Sequence, residues 1–315
     1  MFGNLFQGVS AAVKAYIDAA IAAALALIGG SPSTLYVAQA AYASLPAASG
    51  YGAGTRAKAT DGYGFDVVSN GTRWLPAGGS AIIAACPYTV GILPAFAANA
   101  SGTANGATTL STAIQNGEPL KGFGYVPANT IVAAHAAGFY WFEMQASTTA
   151  IKFYNNTYTP AVGVYPTEPT SKTEFAGAVP GSAGASAAAL YTAFSYTLPA
   201  GILDAFGQLD NEVLYECGIT ATSSETHIVT GATSLGYCTD PTYSKGGSQV
   251  VNVKNISAAL QRGGNKYQGL LVSSASIKAA IDTSVALQID VKINHGNVAN
   301  YYFYDSIIAR VRAAV

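Results

Sequence analysis

The sequence predicts a mainly β protein with an N-terminal helix, a β-hairpin stalk unit and a C-terminal antiparallel β-sandwich. Three observations carry this. First, Val285, Leu287, Ile289, Val291 and Ile293 alternate with Ala286, Gln288, Asp290, Lys292 and Asn294, the period of a strand with one buried and one wet face. Second, Val213, Tyr215, Cys217 and Ile219 repeat that pattern, and Val251 with Val253 continues it. Third, Asp61-Gly62 and Asn70-Gly71 flank short β-prone runs carrying Phe65, Val67 and Trp74; these dipeptides suit tight two-residue hairpins. Antiparallel strands separated by turn-rich segments, with almost no helical periodicity beyond the N-terminus, favour a two-sheet sandwich of jelly-roll type. Alternation by itself carries only the antiparallel sheets.

Taken in order, Val9 to Ile28 is rich in Ala and free of Gly and Pro until Gly29-Gly30, which predicts a helix. Val13, Ile17, Ala20, Ala24 and Leu27 recur at spacings of four and three, the seam of a short coiled coil or of a docking helix. A helix this short is marginal alone and needs partner chains or a groove. Two other readings compete. Lys14 before an apolar run fits a signal peptide, but Gly29-Gly30-Ser31-Pro32 makes a poor cleavage site. The uninterrupted apolar run from Ala19 to Ile28 is about half of the roughly 20 residues a membrane span needs. Residues 31–54, with Pro32, Pro46 and several glycines, form a connector wrapping the stalk. The hairpin unit follows, giving a connector and stalk over 31–80. A β-rich middle region, 81–170, contains Tyr125 to Val132 and Phe139 to Met144 as paired strands with a buried aromatic face. After a Pro/Gly/Ala-rich bridge, 171–315 forms the sandwich head, in which His295-Gly296-Asn297 turns the chain into Tyr301 to Ile308.

Charged residues make up 10% of the 315-residue chain and the net charge is −1, against roughly 25% charged in ordinary soluble domains. That argues against electrostatic capture of nucleic acid or of an acidic membrane. A weakly charged, Tyr-rich surface suits contact between subunits or with neutral polymers such as sugars. The three cysteines, Cys86, Cys217 and Cys238, make no disulfide framework. Cys217 and Cys238 could pair, although a reducing cytoplasm would favour thiols. His135, His227 and His295 are scattered through separate segments, so no metal and no cofactor is expected.

Catalytic signals are weak. Gly29-Gly30, Gly78-Gly79, Gly246-Gly247 and Gly263-Gly264 match neither a P-loop nor a dinucleotide fingerprint, and there is no G-x-S-x-G elbow. Asp204, Asp210, Glu212 and Glu216 form the densest acidic group, but Glu212 and Glu216 alternate onto the wet face of a predicted strand, so no catalytic residue is assigned. For recognition, Leu235 to Gly247 reads as a long polar loop with Tyr237, Asp240, Tyr243 and Lys245. A tyrosine at a sandwich tip could stack on a sugar ring while Asp240 accepts from hydroxyls; the alternative is that these tyrosines pack on a neighbouring subunit. Gln261 to Tyr267, with Arg262 and Lys266 as its positive charges, is the second candidate and reads otherwise as a solvated turn.

Two segments carry a family resemblance. The run Ala57-Lys-Ala-Thr-Asp-Gly-Tyr-Gly-Phe-Asp-Val-Val-Ser-Asn-Gly-Thr-Arg-Trp-Leu-Pro76 resembles a connector of bacteriophage tail-fibre and virion-appendage proteins. The aromatic run from Gly138 through Ser147-Thr-Thr149 to Tyr154-Asn-Asn-Thr-Tyr158, followed by Thr197-Leu-Pro-Ala-Gly-Ile-Leu203, is similar to a second stretch of such proteins. The chain departs from the pattern at Ala146, after Thr149 and at Asp204-Ala-Phe206. The resemblance implies a jelly-roll head and a non-enzymatic, homotrimeric virion structural protein, assembled in the host cytoplasm. It would join other virion proteins through its N-terminus and attach to a host-surface glycan or protein, with no nucleic-acid partner and no membrane insertion. A capsid-decorating head fibre, a secreted carbohydrate-binding module and a small depolymerase are the alternatives.

Overall fold

Asn70 closes one of the two predicted turns with its own side chain: Oδ1 accepts from the amides of Thr72 (3.0 Å) and Arg73 (2.9 Å). In the computed structural model this turn joins β3 to β4 of a small sheet, formed by β1 (Gln39–Ala40), β2 (Arg56–Ala59), β3 (Phe65–Ser69) and β4 (Trp74–Pro76) in that order. The structure describes residues 36–62, 64–93, 96–97, 103–106, 121–131, 135–144, 150–175, 189–203, 207–217, 224–240, 246–257, 260–267, 270–271, 278–295 and 302–313. The predicted helix, with Val13, Ile17, Ala20, Ala24 and Leu27, lies outside the described residues.

Both hairpins exist, but their loops span residues 60–64 and 70–73, longer than the two-residue turns expected. A tight type I′ turn needs positive φ at both central residues, and here Gly62 and Gly71 adopt it while Asp61 and Asn70 do not. Asp61 is instead occupied with the connector, its Oδ2 accepting from the Tyr42 amide at 2.6 Å. The connector does wrap this unit. Tyr42 donates to the Trp74 carbonyl (2.6 Å), Trp74 Nε1 to that of Pro46 (2.7 Å), and Ser69 Oγ to that of Ala48 (3.2 Å). Phe65, Val67 and Trp74 join one hydrophobic cluster with Ala81 and Ile83 of the next strand.

That strand, β5 (Ser80–Cys86), is followed by β6 (Val90–Ile92), β7 (Phe96–Ala97), β8 (Thr103–Gly106), β9 (Lys121–Val126), β10 (Gly138–Met144), β11 (Ala150–Tyr158) and β12 (Tyr191–Leu198). The C-terminal part supplies β13 (Gln208–Cys217), β14 (Ser224–Thr230), β15 (Thr233–Asp240), β16 (Gly246–Ser257), β17 (Leu260–Tyr267), β18 (Leu270–Leu271), β19 (Lys278–Ala279), β20 (Leu287–His295) and β21 (Tyr302–Arg312). One sheet of 13 strands runs β18-β17-β16-β13-β21-β6-β9-β10-β11-β8-β7, with β19 on β17 and β5 on β21. A four-stranded sheet runs β12-β20-β14-β15. The pairing is antiparallel except for β1 with β2 and β6 with β9; within residues 171–315, where the sequence predicts antiparallel sheets, every pairing among β12 to β21 is antiparallel.

The alternating strands predicted from sequence are present, with Val213, Tyr215, Val251, Val253, Ile289, Val291 and Ile293 all buried. Val285 is the correction. It is 51% exposed, because β20 begins only at Leu287 and the Asp282 side chain holds Ser284 in a turn before it.

The four-stranded sheet packs on the large one. Gly263 of β17 comes so close to β15 that a Cβ there would stand 2.2 Å from the Leu235 carbonyl oxygen. Between the sheets, Phe194, Ile228, Ile289 and Val291 share one core with Val213, Val251, Tyr302 and Tyr304, each large side chain contributing about 1.5–3 kcal/mol by burial. Several polar groups caught in this layer are paired with one another, although Gln249 Nε2 and Asn211 Nδ2 are buried without a partner. Thr226 donates to Gln249 Oε1, Tyr302 reaches the same oxygen at 3.2 Å, and the Tyr304 hydroxyl bridges Thr226 Oγ1 (2.9 Å) and the Lys292 carbonyl (3.1 Å). Such pairing offsets the desolvation that an unbonded buried group would suffer.

Candidate ligand-binding groove

The predicted strand Phe139 to Met144 is part of β10, but its partner β9 ends at Val126, so of the predicted strand Tyr125 to Val132 only Tyr125 and Val126 are strand and residues 127–131 turn away; Phe123 lies opposite Trp141. Together with β11, β9 and β10 are buried on both faces: Phe123, Phe139, Trp141 and Tyr158 belong to the main core, and Tyr140, Phe142, Ile151 and Phe153 to a second cluster with Leu93, Ile131 and Phe303. Beyond β11 the chain turns at Ala161 to Val164, where Gly163 takes φ 78° and the Val164 amide donates to the Ala161 carbonyl at 3.0 Å. It then returns as a strap along β11. The amide of Asn155 donates to the Thr173 carbonyl (2.9 Å), and that of Phe175 to the Phe153 carbonyl (3.0 Å).

Ion pairs fasten the strap across the three strands. Lys172 joins Glu143 of β10 and Glu168 (2.9 Å), Glu168 joins Lys121 of β9 (2.8 Å), and Lys152 of β11 joins Glu174 (3.1 Å). Glu143 also accepts from Trp141 Nε1 (3.0 Å) and the Tyr154 hydroxyl (3.2 Å), while the Lys172 ammonium lies 5.2 Å from the Trp141 ring centre. Burial works to raise the Glu143 pKa, but the donors Lys172, Trp141 and Tyr154 hold its carboxyl below the ordinary carboxylate value.

Between strap and strand lies an open groove of about 380 Å³, with Asn155, Asn156, Thr157 and Tyr158 of β11 and Tyr165 and Pro166 of the strap in its lining. Every lining residue is uncharged. Asn156 donates through Nδ2 to the Ser171 carbonyl at 3.2 Å, while its Oδ1 is buried with no protein partner. The Tyr158 hydroxyl is likewise buried and unpartnered, and burial raises its pKa. Amides, hydroxyls and flat apolar rings without an acid or base can bind a neutral polyhydroxylated chain by hydrogen bonds and ring stacking.

No family model matches this chain, and no curated protein matches it significantly. Geometry therefore carries the functional reading.

The residues singled out from sequence fall elsewhere. Leu235 to Asp240 is strand, not loop, which corrects the expectation of a long tip loop. A register shift, with Ile228 opposite Gly236 and Val229 opposite Ser234, makes Leu235 a bulge, so Leu235 and Cys238 are both buried although three residues apart. That break in the period of two hides the strand. Tyr237 stands in mid-strand on the outer face, its ring stacked on His227 at 5.3 Å and 18°. Only the backbone of Asp240 is described, and Tyr243 and Lys245 lie outside the described residues. Cys238 and Cys86 are buried thiols, so the Cys217–Cys238 bridge is not formed, and burial pushes the Cys86 thiol up to about 12.

Gln261 to Tyr267 is also strand, not a solvated turn. The Gln261 side chain is fully buried and satisfied, bonding the Asn255 Oδ1 (3.1 Å) and both the carbonyl (3.0 Å) and the amide (2.9 Å) of Ile281. Gly263 serves the close approach between sheets. Arg262 is exposed on the outer face of the large sheet, on the opposite side of the molecule from Tyr237. Among the described residues no three His, Cys, Asp or Glu side chains group closely enough to hold a metal ion, and no helix is long and apolar enough to cross a membrane.

Beside Tyr237, Glu225 accepts from His227 Nε2 (2.9 Å), Asn294 Nδ2 (3.4 Å) and Thr239 Oγ1 (3.5 Å). The bond from His227 is the main cause that lowers the Glu225 pKa below its ordinary 4.5. A carboxylate with a depressed folded pKa stabilises above the unfolded value, and that contribution is lost as pH falls through the folded value. Glu225→Gln is therefore expected to flatten the acid limb of the stability profile below about pH 4.5 and to leave its shape at neutral pH unchanged, as urea midpoints measured from pH 2 to 7 will show.

Proposed function

We propose that the chain is a non-enzymatic phage virion protein, a trimeric tail fibre or appendage that attaches the particle to a neutral glycan of the host surface. The observation that carries this reading is the uncharged groove between β11 and its strap. One wall of it is Asn155-Asn156-Thr157, within the segment whose wording resembles virion appendages. In this reading the stacked sheets are a jelly-roll head. Val13, Ile17, Ala20, Ala24 and Leu27 join three copies and dock them onto other virion proteins, with no nucleic acid or membrane as partner. A shallow groove binds weakly, and three heads on one fibre convert weak contacts into attachment through effective concentration.

The test joins two measurements on the full chain. Light scattering coupled to size exclusion is expected to give a trimer, and titration with a panel of neutral oligosaccharides is expected to give binding in about the millimolar range per site. Asn155→Ala with Thr157→Ala, both exposed positions in the groove lining, should abolish that binding without unfolding the protein. A monomer, an absence of binding across the panel, or shortening of the glycan on incubation would each overturn the reading.

A further inference from the structure

The chain has 15 Lys and Arg residues, and strand register draws several of them into a single line. Gln208 of β13 lies opposite Arg312 of β21 on one side and Lys254 of β16 on the other. Lys254 lies opposite Arg262 of β17, which lies opposite Lys278 of β19. Directly paired residues project from the same face, and the flanking Val253, Gln261, Ala279 and Val311 are buried on the other. Lys254, Arg262 and Lys278 are therefore exposed side by side on the outer face of the large sheet. At about 4.8 Å per strand, the line from Arg312 to Lys278 covers about 19 Å.

Like charges directly opposite one another destabilise a sheet, and among the described residues acidic partners relieve only the Arg312 end of the line. Arg312 is paired with Asp210 at 2.5 Å, and Arg310 one row away with Glu212 at 3.3 Å. Lys254, Arg262 and Lys278 have no acidic partner among the described residues. The other described charges of this face, Asp210, Glu212, Arg310 and Arg312, pair with one another, so the positive charge left without a described acidic partner falls in a strip one residue wide.

We propose that this strip, Lys254, Arg262 and Lys278, is a binding site for an acidic polysaccharide laid across the strands. The match is between anions repeated along an extended chain and cations repeated at strand spacing. A nucleic acid fits less well. Single strands are held by base stacking on aromatic side chains, and the aligned positions here are Ser80, Gln208 and the cations themselves. This site lies apart from the neutral groove, so the two readings stand or fall separately.

The experiment titrates the full chain with polygalacturonate, with neutral dextran, a single-stranded oligonucleotide and phosphatidylglycerol vesicles as comparisons, at low and at physiological salt. Polygalacturonate is expected to bind at low salt. The combined variant Lys254→Gln, Arg262→Gln, Lys278→Gln should lose about tenfold or more of that affinity, and the slope of log affinity against log salt should shrink by about 2–3, close to one for each cation removed. Its thermal midpoint at low salt should hold or rise, since repulsion is relieved. Arg262→Gln alone, at the centre of the strip, should give an intermediate loss and guards against misfolding of the triple variant. No polygalacturonate binding at low salt, equal binding by both variants, or preference for the oligonucleotide or the vesicles would overturn the proposal.

Discussion

Trp141→Ala is expected to cost about 3–5 kcal/mol in urea unfolding, the range for truncating a buried Trp, and to abolish ligand binding in the groove of whatever folded protein remains. Trp141 is 1% exposed, with its ring edge-on to Phe123 at 5.1 Å. Truncation leaves a cavity that the surrounding aromatics, held by the ladders of β9 to β11, cannot close. The same side chain orients Glu143 through Nε1 and lies under Lys172, so its loss also frees the strap that forms one groove wall. Two further variants separate these effects. Trp141→Phe keeps a six-membered ring but removes the Nε1 donor and the rest of the bicycle, so it should cost less than the alanine variant, about 1–3 kcal/mol. Lys172→Met breaks a pair whose side chains are 24% and 28% exposed, where solvent screens much of the ionic energy. It should therefore change stability little while weakening groove binding. If Lys172→Met binds as the wild type does, the ion pairs do not position the strap.

The strands that sequence made legible are those in which burial alone decides the residue: β13, β16 and β20 alternate apolar and polar side chains because one face meets the core. Strands β15 and β17 were hidden for definite reasons. In β15 a bulge at Leu235 breaks the period of two. In β17 the inward side chains are a buried glutamine and a glycine, the residue types that mark a loop when only composition is visible. Both sites were hidden for another reason, because each is made by register rather than by a segment. The groove needs the strap to fold back on β11, which neither the Tyr154 to Tyr158 run nor the prolines after it announce alone. Arg262 had only Lys266 as a neighbour in sequence, whereas strand pairing sets it between Lys254 and Lys278.

Gly91→Ala is expected to destabilise by more than about 3 kcal/mol, beyond the usual 1–3 kcal/mol of overpacking, and to abolish cooperative unfolding of the large sheet. The three-residue strand β6 joins the halves of that sheet, pairing with β21 on one edge and in parallel with β9 on the other. At its centre Gly91 lies opposite Phe303 and Gly124. A Cβ on Gly91 would stand 2.2 Å from the Tyr302 carbonyl oxygen and 2.6 Å from Phe303 Cα. Both atoms are backbone, fixed by the β21 ladder to β13, so relief requires moving the strand and not a side chain. Gly124→Ala is the internal control. Its Cβ would meet Leu93 Cδ1 at 2.4 Å and Cγ at 2.5 Å, side-chain atoms of one leucine that can shift without moving a strand, so the cost should stay within about 1–3 kcal/mol. Denaturation followed separately by tryptophan fluorescence, which reports Trp141 in the β9 to β11 half and Trp74 in the small sheet, and by far-ultraviolet circular dichroism should give coincident curves for Gly124→Ala. The two probes should separate for Gly91→Ala. Coincident curves and a small cost for Gly91→Ala would mean that β6 is not the junction on which the two halves depend.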